Sequence, residues 1–452
     1  MSANPAPRSP ALQSFDRIWE DRSKGFTRSL EPMQAYRRQA MSRFLRLGLP
    51  TLRDESWHYT NLRILAQRSF AQSPGMPVAP GAANCRSWLP GDDQWPVIRL
   101  INALPQATDF GCAPAGVTVS ALRDLERADS QRLAALMPPL SDLEPQRWAL
   151  LNAALFEDGL HIKISGQCSV PLLILHVGTP AVIAGENLVQ EFVNPRILIE
   201  AEAGSSAVIL EHHVNGGAGA LFSNSVCSVQ LGDNAKLEHF RLFSGNAATT
   251  HADHLQVRIG ANARMRQHTI GLDGGFIRVN LEATLAAAGA SLDNYCLLTG
   301  HDARHLDCMN LVTHASPHTT SRQTARIIAS GRSRAIFNSK VIVTPGAQKA
   351  DSYQSSRGLL LSPTAEIDTR PQLEIHANDV KCAHGATTGR LDPDMLFYLL
   401  ARGLDRGTAQ SLLVFAFLAD ALREMSLPAV RASIESKLIE QLPDATTLRQ
   451  FR

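Results

Sequence analysis

Cys382 and His384 stand two residues apart in the run KCAHGAT (381–387). On an extended backbone that spacing puts both side chains on one face, about 6.5 Å apart. A thiolate and an imidazole are the soft and borderline ligands that iron, zinc and iron–sulfur clusters prefer. Two ligands make half a site, so a partner would have to complete it, and Gly385 beside them allows another backbone to come close. A packed cysteine next to a hydrogen-bonded histidine explains the same residues equally well. The segment HDARHLDC (301–308) is a weaker lead. Helical spacing would bring His301 and His305 together, but the surroundings read as strand, where residues four apart sit about 13 Å apart. Eight further histidines (212, 213, 239, 251, 254, 268, 314 and 318) lack ligand spacing and read as solvated rungs on a strand surface. GGAGA (216–220) opens no recognisable helix, so a phosphate role is weak. There is no GxxxxGK[ST] for ATP, no GxSxG elbow and no paired-acid motif.

The elements that must position these residues follow from a repeat. A small or polar residue, an alanine and an alternating apolar run recur at Ala207, Ala235, Ala263, Ala290, Ala335 and Ala365. Successive anchors lie 28, 28, 27, 45 and 30 residues apart, the fourth step being about one and a half periods. A near-constant period of this size with internal alternation signals stacked β-coils, each of several short sides. A β-sandwich with coincidental spacing is the alternative architecture.

The expected organisation is an N-terminal helical region with a flexible tail and linker (1–90), a mixed α/β lead-in (91–159), a β-coil core (160–389) and a C-terminal helical domain (390–452). Ser29 is placed to cap the helix MQAYRRQAMSRFLRL, with Gly48 as its stop. Asp392–Pro393 opens a helix that Gly403 closes, and the run Leu412–Leu418 is apolar on nearly every side and must be buried, either in the domain or against a partner.

The 452 residues suffice for two or three domains, and a formal net charge of +2 leaves no electrostatic footprint for nucleic acid or an anionic membrane. Seven scattered cysteines without a CxxC spacing fit a reducing cytosol and argue against a disulfide framework. No apolar stretch is long enough to span a membrane, and the N-terminus lacks an apolar secretory core, so a cytoplasmic location is expected.

DVKCAHGATTGRLDPDMLFYLLARGL (379–404), preceded by QSSRGLLLSPTAEIDTRPQLEI (354–375), resembles the SufB/SufD family of iron–sulfur cluster assembly proteins. ESWHYTNLRIL (55–65) and GHDARHLDCMNLVTHASPHTTSRQ (300–323) resemble further segments of that family, so the likeness runs from about residue 50 to the C-terminus. The chain is more like the SufD branch. A cysteine that SufB carries near LSPTAE, and a glutamate where Gly385 stands, are absent here. The resemblance implies a right-handed parallel β-helix flanked by helical regions, in a complex with SufB and the ATPase SufC. It implies that His384, with Cys382 beside it, faces the SufB interface, where iron or a nascent cluster is held transiently and shared with SufB. It places Phe397, Tyr398, Arg402 and Gly403 where SufC docks.

The expected job is therefore a non-catalytic scaffold, with ATP hydrolysis supplied by the partner and no cluster bound by this chain alone. A homodimer that delivers iron is one alternative. A carbohydrate-active β-helix enzyme is another, but Glu211, Glu238, Asp253 and Glu282 form no column at the repeat spacing.

Overall fold

The computed structural model describes residues 9–25, 31–72, 87–89, 94–142, 146–180, 189–217 and 219–441. The expected cap at Ser29, the linker at 73–82 and Ala218 lie outside the described residues.

Two sheets face each other, and the chain passes from one to the other and back, laying down one strand on each per coil. The first sheet stacks Arg196–Ala201, Leu221–Leu231, Thr249–Ile259, Phe276–Leu285, His305–His314, Arg334–Val343 and Glu366–Ile375. The second stacks Leu172–Gly178, Ser206–Asn215, Lys236–Phe243, Arg264–Gly271, Ser291–Gly300, Thr320–Ala329, Asp351–Leu360 and Lys381–Gly389. Pairing between coils is parallel throughout, giving a β-solenoid of about seven turns. Each coil thus has two long sides of about ten residues rather than several short ones.

The repeated phrase marks one corner of this coil. Gly204, Asn234, Asn262, Gly289, His318 and Lys349 all have positive φ, a conformation that glycine and asparagine tolerate best. Each is followed by a residue that is at most 2% exposed: Ser205, Ala235, Ala263, Ala290, Thr319 and Ala350. These six form one ladder, in which each carbonyl accepts from the first strand amide of the next coil, for example Arg264 N to Ala235 O at 2.8 Å and Ser291 N to Ala263 O at 2.9 Å. A small side chain is needed because the corners stack directly on one another. The irregular step of 45 residues has a simple cause. Ala290 precedes a strand of the second sheet, whereas Ala335 lies on a strand of the first, so the motif crosses to the other side of the coil. Ala207, Ala335 and Ala365 are not in this ladder: Ala207 pairs with Leu237, Ala335 pairs with Ile367, and Ala365 directly precedes the strand Glu366–Ile375 of the first sheet.

The interior between the sheets is apolar along one side of the cross-section, with Ile209, Leu237, Met265 and Leu292 facing Val229, Val257 and Ala283. The two ends of the stack differ. At the N-terminal end Val117–Ala121 pairs antiparallel with Leu160–Ile164, and Leu104–Pro105 folds back antiparallel on Val97–Ile101. At the C-terminal end Glu366–Ile375 and Lys381–Gly389 each bond to one neighbour among the described residues.

Helices cover the flanks. Glu31–Leu47 ends at Gly48 (φ +68°) and packs with Pro10–Ser23 and Arg147–Leu155 around Phe15, Phe44 and Trp148. At the other end Asp392 caps Pro393–Ala401, whose last turn leads to Gly403 at φ +90°. Arg406–Leu422 then lies against the second sheet through Val414, Leu418 and Leu422. Its apolar run is not buried all round, since Leu412, Leu413, Phe415 and Phe417 are half-buried and Ala416 is exposed. Among the described residues no helix is long and apolar enough to cross a membrane.

Candidate functional site

Cys382 and His384 lie on Lys381–Gly389, the last strand of the second sheet, paired with Ser352 and Gln354. Cys382 is half-buried against the solenoid core. Burial pushes its thiol up, more than a hydrogen bond from the Ser352 backbone lowers it, so the sulfur is held as thiol until a metal displaces its proton. His384 points to the same side and is exposed, because no further coil covers it. Gly385 has nothing within 4 Å of the place a Cβ would take, so another backbone can approach there. The geometry keeps the two ligand types together and open to a partner.

His384 is also the last rung of an inward row. Strand register aligns His239, Gln267, Asn294, Gln323, Gln354 and His384, one per coil. The first five are buried, and Gln267 Oε1, Asn294 Oδ1, Gln323 Nε2 and both amide atoms of Gln354 have no hydrogen-bond partner among the described residues. At ~4.8 Å per strand the row covers roughly 24 Å. It starts beside a cluster of buried charged groups that sequence reasoning missed.

In that cluster Glu211 Oε1 accepts from His239 Nε2 at 2.8 Å and meets Arg241 Nε at 3.2 Å, while Oε2 accepts from His176 Nε2 at 2.9 Å. Arg241 also grips Asp253 with both terminal nitrogens. Burial pushes the Glu211 carboxyl up, but Arg241 and the two histidine hydrogen bonds outweigh it and hold the group well below its usual range. Burial lifts Asp253 to about 6 against the pull of Arg241. His239 and His213 are pushed down by burial, His213 further by His176.

The histidines at 212, 213, 239, 251, 254, 268 and 314 are therefore not solvated rungs; all are buried. Only His318, at a corner, is exposed. The alternation inside SAVILEHHVN is the signal that could have found them, since Ile209, Glu211 and His213 share parity and Ile209 must face the core. His301 and His305 do not converge. His301 contacts Asp302 and Asp273, whereas His305 stacks on Phe276 at 5.2 Å and meets Thr60 Oγ1 at 3.1 Å.

Phe397 and Tyr398 are 72% and 57% exposed on the helix after the last strand, with Met395 exposed beside them. The Arg402 guanidinium lies 5.1 Å over the Tyr398 ring and donates to its hydroxyl at 3.0 Å. An apolar patch of this kind, next to an open sheet edge, is the composition of an interface.

Residues 182–417 match the SufBD core domain of the SUF system for FeS cluster assembly, and residues 11–86 match the SufBD N-terminal region. The iron–sulfur cluster assembly protein SufD of Escherichia coli is 28% identical over 439 residues, covering 96% of this chain and 97% of that protein. An iron–sulfur cluster assembly SufBD family protein of Synechocystis is 28% identical over 411 residues, covering 87% and 86%. SufD of Bacillus subtilis is 26% identical over 301 residues, covering 65% and 66%.

Proposed function

Because this chain belongs to the SufBD family, and so to iron–sulfur cluster assembly in the Suf system, we propose that it serves there as a non-catalytic scaffold subunit. Its open C-terminal edge joins a SufB-type β-helix, and iron or a nascent cluster, as cargo, sits at the junction against His384 and Cys382. The carrying observation is the asymmetry of the solenoid: antiparallel strands close one end, while the other ends in two strands bonded on one side. An uncovered edge is an aggregation hazard unless a partner pairs with it. The exposed Phe397–Tyr398 patch, with Arg402 and the turn at Gly403, is the contact for a SufC-type ATPase, which supplies ATP hydrolysis. Motion of that partner would reach His384 through the helix Pro393–Ala401, which follows the last strand directly.

The acids that a carbohydrate-active enzyme would need favour the scaffold reading. Glu211 and Asp253 are buried on Arg241, and Glu238 accepts from His268 at 2.9 Å. Anaerobic purification of the tagged chain from its native host tests the reading. A stoichiometric complex with a SufB-type protein and a Walker-motif ATPase is expected. Recovery as a monomer or homodimer would overturn it. In the complex, His384→Ala should abolish cluster formation without loss of either partner, and full assembly in that variant would remove His384 from the mechanism.

A further inference from the structure

We propose that the solenoid interior holds a second metal centre, independent of the partner interface, in which Glu211, His176 and His213 bind one ferrous or similar borderline divalent ion. Two imidazoles and one carboxylate on one side of an ion, with other positions left open, is a donor set that suits Fe(II). The three donor atoms lie within 4.8 Å of one another. From Glu211 Oε2 the distances are 2.9 Å to His176 Nε2 and 3.8 Å to His213 Nε2. Donors about 2.1 Å from a shared ion stand roughly 3.0–3.4 Å apart, so binding requires the stacked His176 and His213 rings to turn out of their parallel arrangement and the His176 proton to move from Nε2 to Nδ1, which has no hydrogen-bond partner among the described residues.

Two observations point to a ligand rather than to ordinary packing. His213 is 1% exposed, yet neither ring nitrogen has a hydrogen-bond partner among the described residues. Leaving such a group unpaired in the interior is unfavourable. The carboxylate is already oriented, because Oε1 is taken by His239 and Arg241 while Oε2 faces the two histidines. Outer partners of this kind fix a metal ligand in place. A small cavity lined by these two rings together with His251, Ser223 and apolar side chains lies beside them.

The test uses the full-length chain, expressed in iron-replete medium and purified anaerobically. About one Fe(II) per chain should survive gel filtration, and X-ray absorption should show a nitrogen and oxygen shell with imidazole scattering and no sulfur. Glu211→Gln and His213→Ala should each lower the iron retained at least tenfold, whereas His384→Ala should leave it unchanged. Wild-type protein that retains no iron, or a sulfur-containing shell, would overturn the site. So would loss of iron in His384→Ala with retention in Glu211→Gln. The absorption measurement needs no variant, so a misfolded substitution does not blunt the test. Because the isolated chain is measured, the result is distinct from failure of the partner complex.

Discussion

His384 reaches solvent only because its coil is the last one; on any earlier coil the same position is buried. Its chemistry therefore depends on where the solenoid stops. The buried histidines depend on the interior instead, and this has a pH consequence. His212 bonds to Ser87 at 2.8 Å and Ser244 at 3.1 Å, and His314 bonds to Thr319 at 2.8 Å and Ser321 at 2.9 Å. Burial pushes His212 down to about 3 and His314 down to about 4. Both folded values lie below the unfolded 6.5, so the unfolded chain takes up protons first. The stability from the neutral rings is present above pH 6.5 and is lost as pH falls from there toward 4. At pH 5 each contributes a loss on the order of 2 kcal/mol. Urea midpoints measured from pH 7.5 to 5 should fall accordingly, and His314→Asn should flatten the profile; a midpoint independent of pH over that range would refute the account. Little of this was legible in the sequence. Histidines on successive strands carry no ligand spacing, because contacts in a parallel stack run between coils about 30 residues apart.

At the scale of elements the period was legible and the corner was not. Alanine spacing exposed stacked coils, but at Ala235, Ala263 and Ala290 it is the residue before the alanine that sets the turn. Asn262 is exposed with φ +53°, and its amide donates to Ala288 O at 3.0 Å on the next corner. Asn262→Val should lower stability by about 1–3 kcal/mol through backbone strain alone, while Asn262→Gly should be near neutral. Thermal melts of the two variants decide this, and equal melting temperatures would mean that the corner conformation is not under stress. The expectation of several short sides failed because strands of ten residues fill a 28-residue coil with two sides and two corners. The apolar run Leu412–Leu418 is covered only in part by this chain. An all-apolar run shows that surface must be covered, not which part of the covering belongs to this chain. The four residues at 412, 413, 415 and 417 remain half-buried.

For the molecule as a whole, the closed and open ends decide how it assembles. Lys381 N donates to Ala350 O at 2.9 Å, so along Lys381–Gly389 the odd-numbered amides point inward to the neighbouring strand. The even-numbered amides, those of Cys382, His384, Ala386 and Thr388, point outward, where a partner strand would bond. Ala386→Pro therefore removes one outward donor and leaves the internal ladder whole. The variant should fold with a melting temperature close to wild type. Its affinity for the SufB-type partner should fall at least tenfold, about 1.4 kcal/mol, whereas Ala325→Pro, inside the stack, should not fold. Binding measured by titration calorimetry against the purified partner separates the outcomes. Undiminished affinity in a folded Ala386→Pro would show that the solenoids do not join through this edge, and the exposed helical patch would then have to carry the complex by itself.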